Sequence, residues 1–190
     1  MNRKFTIDRA ERTIGDAWIG LYRGTSFISR WIQYATGGPY SHAVMFCRVN
    51  GHVDVLELRE LIGGRRQSLD FHTQHWAGVI DVFQPDLRRW PEFKTHGAVT
   101  VMRDLISRPY SYKGIAGIAL RKIPILRRIW PLDIPDDELV RYEGSLFCSH
   151  SVCAAARIGG GVDPCPHKPD CLVTPNDLSW SLFYEYAFTL

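Results

Sequence analysis

Cysteine and histidine are the side chains here that could pair a nucleophile with a base, and the chain carries five of the first and seven of the second. Cys148 stands out by position. The run Phe147-Cys148-Ser149-His150-Ser151-Val152-Cys153-Ala154-Ala155-Ala156-Arg157-Ile158 reads as a helix over 147–158, and Gly159-Gly160-Gly161 supplies a left-handed stop. Cys148 then falls in the first turn, where unpaired N–H groups and the helix dipole favour an anion. A thiol there tends toward its nucleophilic thiolate form.

His42 is the best-placed base, because it follows Gly37-Gly38-Pro39-Tyr40-Ser41 and opens an apolar run, Ala43–Cys47. A loop-to-strand junction presents an imidazole while the strand fixes its backbone. The second run, Val53–Leu58, is joined to the first by Asn50-Gly51, the strongest short hairpin signal. A two-residue turn there pairs residues whose numbers sum to about 101, which sets Glu57 opposite position 44 and near His42. Glu57 is thus a carboxylate able to orient the ring. Taken singly, a cysteine among small residues packs in a core, a histidine before a strand is structural, and a strand glutamate faces water. Together the three favour chemistry.

The elements that must position them follow from periodicity. Residues 1–13 are a polar lead-in, 14–22 a short strand, and 26–34 a helix ended by Gly37-Gly38-Pro39. A third strand spans 78–83 and a late edge strand 184–188. Helices are expected at 91–107, 113–123, 147–158 and 175–182, with Pro91 and Pro175 at two of the starts. Consecutive antiparallel strands followed by helices indicate an α+β fold, with a small antiparallel sheet packed on the Cys148 helix.

At 190 residues, 45% hydrophobic and 23% charged, the chain is sized for one domain, 1–190, with an ordinary core. A net charge of +3, with no long basic run, argues against nucleic acid as a partner. The N-terminus has no apolar targeting segment, no run reaches the length of a membrane span, and the cysteine number is odd. A cytoplasmic location with reduced thiols is the expectation. The segment 115–130 alternates apolar residues with Arg121, Lys122, Arg127 and Arg128. It reads as a surface insertion, and in its sharper reading as a contact with a membrane surface or acidic substrate. The stretch Cys165-Pro166-His167-Lys168-Pro169-Asp170-Cys171, with Cys153, holds zinc-type ligands at a spacing that matches no regular knuckle. It is read as a loop with reduced thiols, or with a Cys165–Cys171 disulfide if the protein is exported, with no metal and no cofactor assigned. Cys153 is assigned to the core, and His150 to a structural or surface role.

Gly15-Asp16, Thr25-Ser26-Phe27-Ile28-Ser29-Arg30, Tyr40-Ser41-His42-Ala43, Leu56-Glu57, Pro109-Tyr110-Ser111-Tyr112, Phe147-Cys148-Ser149 and Thr174-Pro175-Asn176-Asp177-Leu178 occur in this order. In that order they resemble the YiiX/YaeF-like, circularly permuted papain-fold hydrolases, relatives of NlpC-type peptidases and of lecithin-retinol acyltransferase. The resemblance runs over about residues 14–182, with 115–143 as a variable insertion. It implies a papain-like site reordered in sequence, with His42 as base, Glu57 as the orienting residue and Cys148 as nucleophile. The implied function is that of a cysteine hydrolase cleaving an amide or peptide bond: the thiolate attacks the carbonyl and an acyl-enzyme intermediate forms, with a peptide, amide or acyl substrate as the partner. The Cys148 N–H is a natural oxyanion donor, and Tyr40 and Tyr110 offer hydroxyls between which the sequence does not choose. The acyltransferase relatives keep a transferase or thioesterase acting on lipid-like acyl groups as an alternative. A non-catalytic or zinc-stabilised binding domain is the other. Oligomeric state is left open.

Overall fold

The computed structural model describes residues 6–59, 63–76, 78–107 and 147–190. Expectations that fall on other residues, the 113–123 helix, the 115–130 segment and Tyr110 among them, lie outside this description. The chain opens with helix α1 (Ile7–Thr13) where a lead-in was expected. Ala10 is its one buried residue, with Ile14 just past its end, too sparse a pattern to register as a helical period. Strand β1 (Ile19–Gly24) follows, then α2 (Phe27–Thr36), whose Ser26 cap accepts the Ser29 N–H. Strands β2 (His42–Val49) and β3 (His52–Arg59) form the expected hairpin. Asn50 and Gly51 both have positive φ, 51° and 86°, as a primed two-residue turn requires.

Two elements had no sequence expectation: β4 (Gly63–Ser68) and α3 (Leu69–Gln74). The β4 sequence Gly-Gly-Arg-Arg-Gln-Ser carries no apolar alternation and reads as a loop; the ladder to β3 holds it in the sheet. Then come β5 (Gly78–Pro85), α4 (Thr95–Ile106), α5 (Cys148–Ala154), α6 (Pro175–Trp180) and β6 (Tyr184–Thr189). Helix α4 starts at Thr95, four residues after Pro91, which lies in a turn. Helix α5 continues as a π-helical turn over Ala155–Gly160 and stops at Gly161, whose φ is 80°.

The sheet is larger than expected: six strands, in the order β4-β3-β2-β1-β5-β6, every neighbouring pair antiparallel. Alternation along the strands divides the core in two. Met45, Cys47, Leu56 and Leu58 pack with Met102, Leu105, Val152 and Cys153 on the side of α4 and α5. Val44, Phe46, Val53 and Val55 pack with Ala10, Ile14 and Leu69 on the side of α1 and α3. The chain is therefore α+β, a six-stranded antiparallel sheet with helices on both faces.

Candidate active site

The hairpin register is the one the Asn50-Gly51 turn dictates: Met45 pairs with Leu56 and Phe46 with Val55. Continued by one residue, it sets Glu57 opposite Val44, on the face that carries Val53 and Val55. His42, the first residue of β2, and Glu57 are both buried, and His42 Nε2 lies 2.6 Å from Glu57 Oε2. Arg65 stands directly opposite Glu57 in the β3–β4 register and donates its Nε–H to Oε1 at 2.5 Å. The two carboxylate oxygens are thus committed to two different cations.

Burial opposes charging the His42 ring. It is outweighed by the charge of Cys148 and a hydrogen bond with it, and then by the hydrogen bond and charge of Glu57, so the His42 pKa rises to about 10. Burial likewise opposes ionising Glu57, but His42 above all, with His72 and Arg65, lowers its pKa to about 2. Across the neutral range the pair is imidazolium and carboxylate. The ring is clamped as well: Trp76 stacks on it at 5.6 Å and 18°, and Tyr22 meets it edge-on at 5.5 Å.

Cys148 is the first residue of α5 and is buried. Ser149 Oγ ties the helix start to the Val173 carbonyl at 2.6 Å, and Ser151 Oγ donates to the Cys148 carbonyl at 2.7 Å. As the first residue, Cys148 has a backbone N–H with no intrahelical acceptor, the donor an oxyanion would use.

The Thr174-Pro175-Asn176-Asp177 motif acts at a distance from the thiol. Thr174 and Asp177 form a capping box that starts α6, and this fixes Asn176, which is fully buried. Asn176 Oδ1 accepts the Tyr40 N–H at 3.0 Å, while its Nδ2 donates to Thr36 Oγ1 at 2.7 Å and to the Tyr40 carbonyl at 3.1 Å. It therefore clamps the loop that delivers His42. Gly38 makes room for it, because a Cβ there would stand 2.3 Å from Asn176 Oδ1.

Three neighbours of the site were not singled out from sequence: Arg65, His72 and Trp76. His72 lies in α3 and Trp76 two residues beyond its end, and their rings stack at 6.1 Å. His72 Nδ1 is 3.5 Å from Glu57 Oε1 but makes no hydrogen bond with it, and neither ring nitrogen has a partner. Burial first, and then the nearby cations, lower the His72 pKa to about 4, so this ring is neutral beside the charged pair.

Of the two tyrosines offered as hydroxyl donors, Tyr40 donates to Asp81 Oδ2 at 2.8 Å. Of the two roles left open for His150, structural or surface, burial fits the structural one, and it lowers the ring's pKa to about 4. Cys153 is fully buried in the core, as expected. His167 is exposed, and the metal-type donors that converge are Cys153, Asp163 and Asp170, whose ligand atoms lie within 4.8 Å of one another.

No family model matches this sequence, and no curated protein does. A solved structure does: the crystal structure of the metalloprotein YiiX from Escherichia coli O157:H7 superposes with a TM-score of 0.62 over 91% of this chain and 96% of that one. The chain has a YiiX-like fold. Sequence identity with YiiX is 14%, so the likeness concerns the fold and leaves the chemistry to the residues of this chain. Among the described residues no helix is long and apolar enough to cross a membrane.

Proposed function

We propose that the protein is a cysteine hydrolase with a permuted papain-like arrangement, cleaving an amide or peptide bond through Cys148, His42 and Glu57. The observation that supports this reading is the buried His42 ring, held by Glu57 through Nε2 at 2.6 Å, with Cys148 among the groups that raise its pKa. In the reaction, His42 holds the proton taken from Cys148, and the thiolate attacks the carbonyl carbon. The C–S bond forms as the carbonyl π electrons move to oxygen, which the Cys148 N–H stabilises. His42 then protonates the leaving amine as the C–N bond breaks, and water activated by His42 hydrolyses the thioester. Glu57 keeps the ring oriented and offsets its charge.

A second reading, transfer or hydrolysis of a lipid-like acyl group, is favoured by α2. Phe27 and Tyr34 are more than four-fifths exposed, and Trp31 nearly half. At spacings of four and three residues they share one face of the helix. Such an apolar face suits an acyl chain. Peptide, amide, ester and thioester substrates, each assayed with wild type and Cys148→Ala, separate the two readings. Peptide or amide turnover that vanishes in the variant supports the first, and ester or thioester turnover alone supports the second. Turnover unaffected by the substitution excludes both.

A further inference from the structure

We propose that the outward face of α2 docks the protein on a lipid bilayer surface carrying anionic headgroups. Successive residues of a helix are about 100° apart, so Phe27, Trp31 and Tyr34 fall within about 60° of one another, with Ile28 and Arg30 on their flanks. Ser29, Gln33 and Thr36 fall within about 60° on the opposite side. A surface helix ordinarily turns its apolar stripe to the core and its polar side to water. Helix α2 does the reverse. Phe27 and Tyr34 are 85% and 84% exposed, and Ile28 and Trp31 nearly half. The polar side is the one that faces the body of the protein. Ser29 is buried and packs on Gly24, where a Cβ would collide with its Oγ. Gln33 Nε2 donates to the Gly24 carbonyl at 3.0 Å, and Thr36 Oγ1 accepts from Asn176 Nδ2 at 2.7 Å. Hydrogen bonds therefore fix the orientation that turns the aromatic face outward.

Residue types and charge say what covers that face. Phenylalanine, tryptophan and tyrosine on one side of a helix, flanked by a basic residue, are the set that lodges at the level of lipid headgroups. From residue 17 to residue 53 the sequence has arginines at 23, 30 and 48 and no aspartate or glutamate. Arg23 is tied to Asp81, which makes the exposed Arg30 the cation beside the aromatics. A second copy of the chain fits less well. The ten-residue helix has an outline of about 15 Å by about 10 Å, roughly 150 Å², where a stable dimer buries about 800 Å² per partner. A twofold contact would also gather the arginines of both copies with no carboxylate from this segment between them. A bilayer sets no such minimum, because its surface continues past the helix on all sides. The active site lies next to this face: one Asn176 side chain holds both Thr36, the last residue of α2, and Tyr40, in the loop that delivers His42. Docking through α2 sets that loop close to the bilayer whichever bond Cys148 cleaves, and it does not rest on the function proposed above.

The test is sedimentation of the full-length Cys148→Ala protein with vesicles, so that no turnover alters the lipid. Binding is expected to equimolar phosphatidylglycerol and phosphatidylcholine, weaker to phosphatidylcholine alone, and reduced by salt. Phe27→Ser combined with Tyr34→Ser changes two exposed side chains. It should leave the circular dichroism spectrum and Tm unchanged while partitioning falls at least about tenfold. Arg30→Gln should weaken binding about fivefold on the anionic vesicles and leave the neutral ones unaffected. Lipids brominated on the acyl chain should quench tryptophan fluorescence, and Trp31→Phe should remove most of that quenching. No sedimentation at low salt, or equal binding by the Phe27→Ser/Tyr34→Ser variant, would overturn the proposal. If vesicles are not bound, a dimer that this variant abolishes gives the face to a second copy, and saturable binding of monomeric octanoate gives it to a single acyl chain.

Discussion

Cys148 and Cys153 sit five residues apart in one helix, and both are buried, yet the fold gives them opposite surroundings. Cys148 is at the helix start beside His42, a ring that is cationic in the neutral range because of its own sulfur neighbour and Glu57. Cys153 is in the helix interior, where a second thiol and the carboxylates of Asp163 and Asp170 hold its pKa well up. Anions and burial favour the inert, protonated thiol, and the cationic ring beside Cys148 is what Cys153 lacks. Residue type and helical setting are therefore shared, and what distinguishes the two is which loop each one meets.

The largest expected effect comes from removing one thiol and then the other. Cys148→Ala should lower kcat at least about 10³-fold with the circular dichroism spectrum unchanged, whereas Cys153→Ala should leave most of the turnover. Similar losses in both would dissolve the distinction. Glu57→Gln keeps the shape but removes the charge that orients His42, and kcat should fall by roughly 10²- to 10⁴-fold. An effect below threefold would show that the ring needs no carboxylate.

The pH dependence has two sides. His42 has its pKa raised from 6.5 to about 10, so its contribution to stability is complete below pH 6.5 and is lost as pH rises through 10. Glu57 has its pKa lowered from 4.5 to about 2, so its contribution is complete above pH 4.5 and is lost as pH falls through 2. Denaturant unfolding should therefore show an alkaline loss of stability toward pH 10 that is diminished in His42→Gln; an identical slope in the variant would count against the raised value. The smallest effect is expected from Arg65→Gln. Glu57 then loses one of its cations, and the acid edge of the kcat profile should move upward with less than a tenfold change in kcat at pH 7. An unmoved acid edge would mean that His42 alone sets the Glu57 charge.

How far these surroundings can be read in the sequence differs between the two thiols. The His42–Glu57 contact is local: fifteen residues and one turn separate the partners, and the positive-φ pair Asn50-Gly51 dictates the register that joins them. The strand, helix and cap signals of β2, β3, α2 and α6 are local in the same way. Arg65 was missed because β4 owes its strand conformation to its partner β3 and not to any alternation of its own. Asp163 was missed for a related reason. The Cys165–Cys171 run drew attention through its spacing, but the side chains that converge come from a helix interior, a loop and a 3-10 turn. Tertiary packing brings them together, and no period records it.

Site-mapped reaction of the native protein with a limiting amount of a thiol-directed electrophile tests the central claim most directly. The account predicts that Cys148 is modified first, at least about tenfold faster than Cys153, and that His42→Ala removes this advantage. Modification of Cys153 at a rate equal to Cys148, or a Cys148 rate indifferent to the loss of His42, would contradict it.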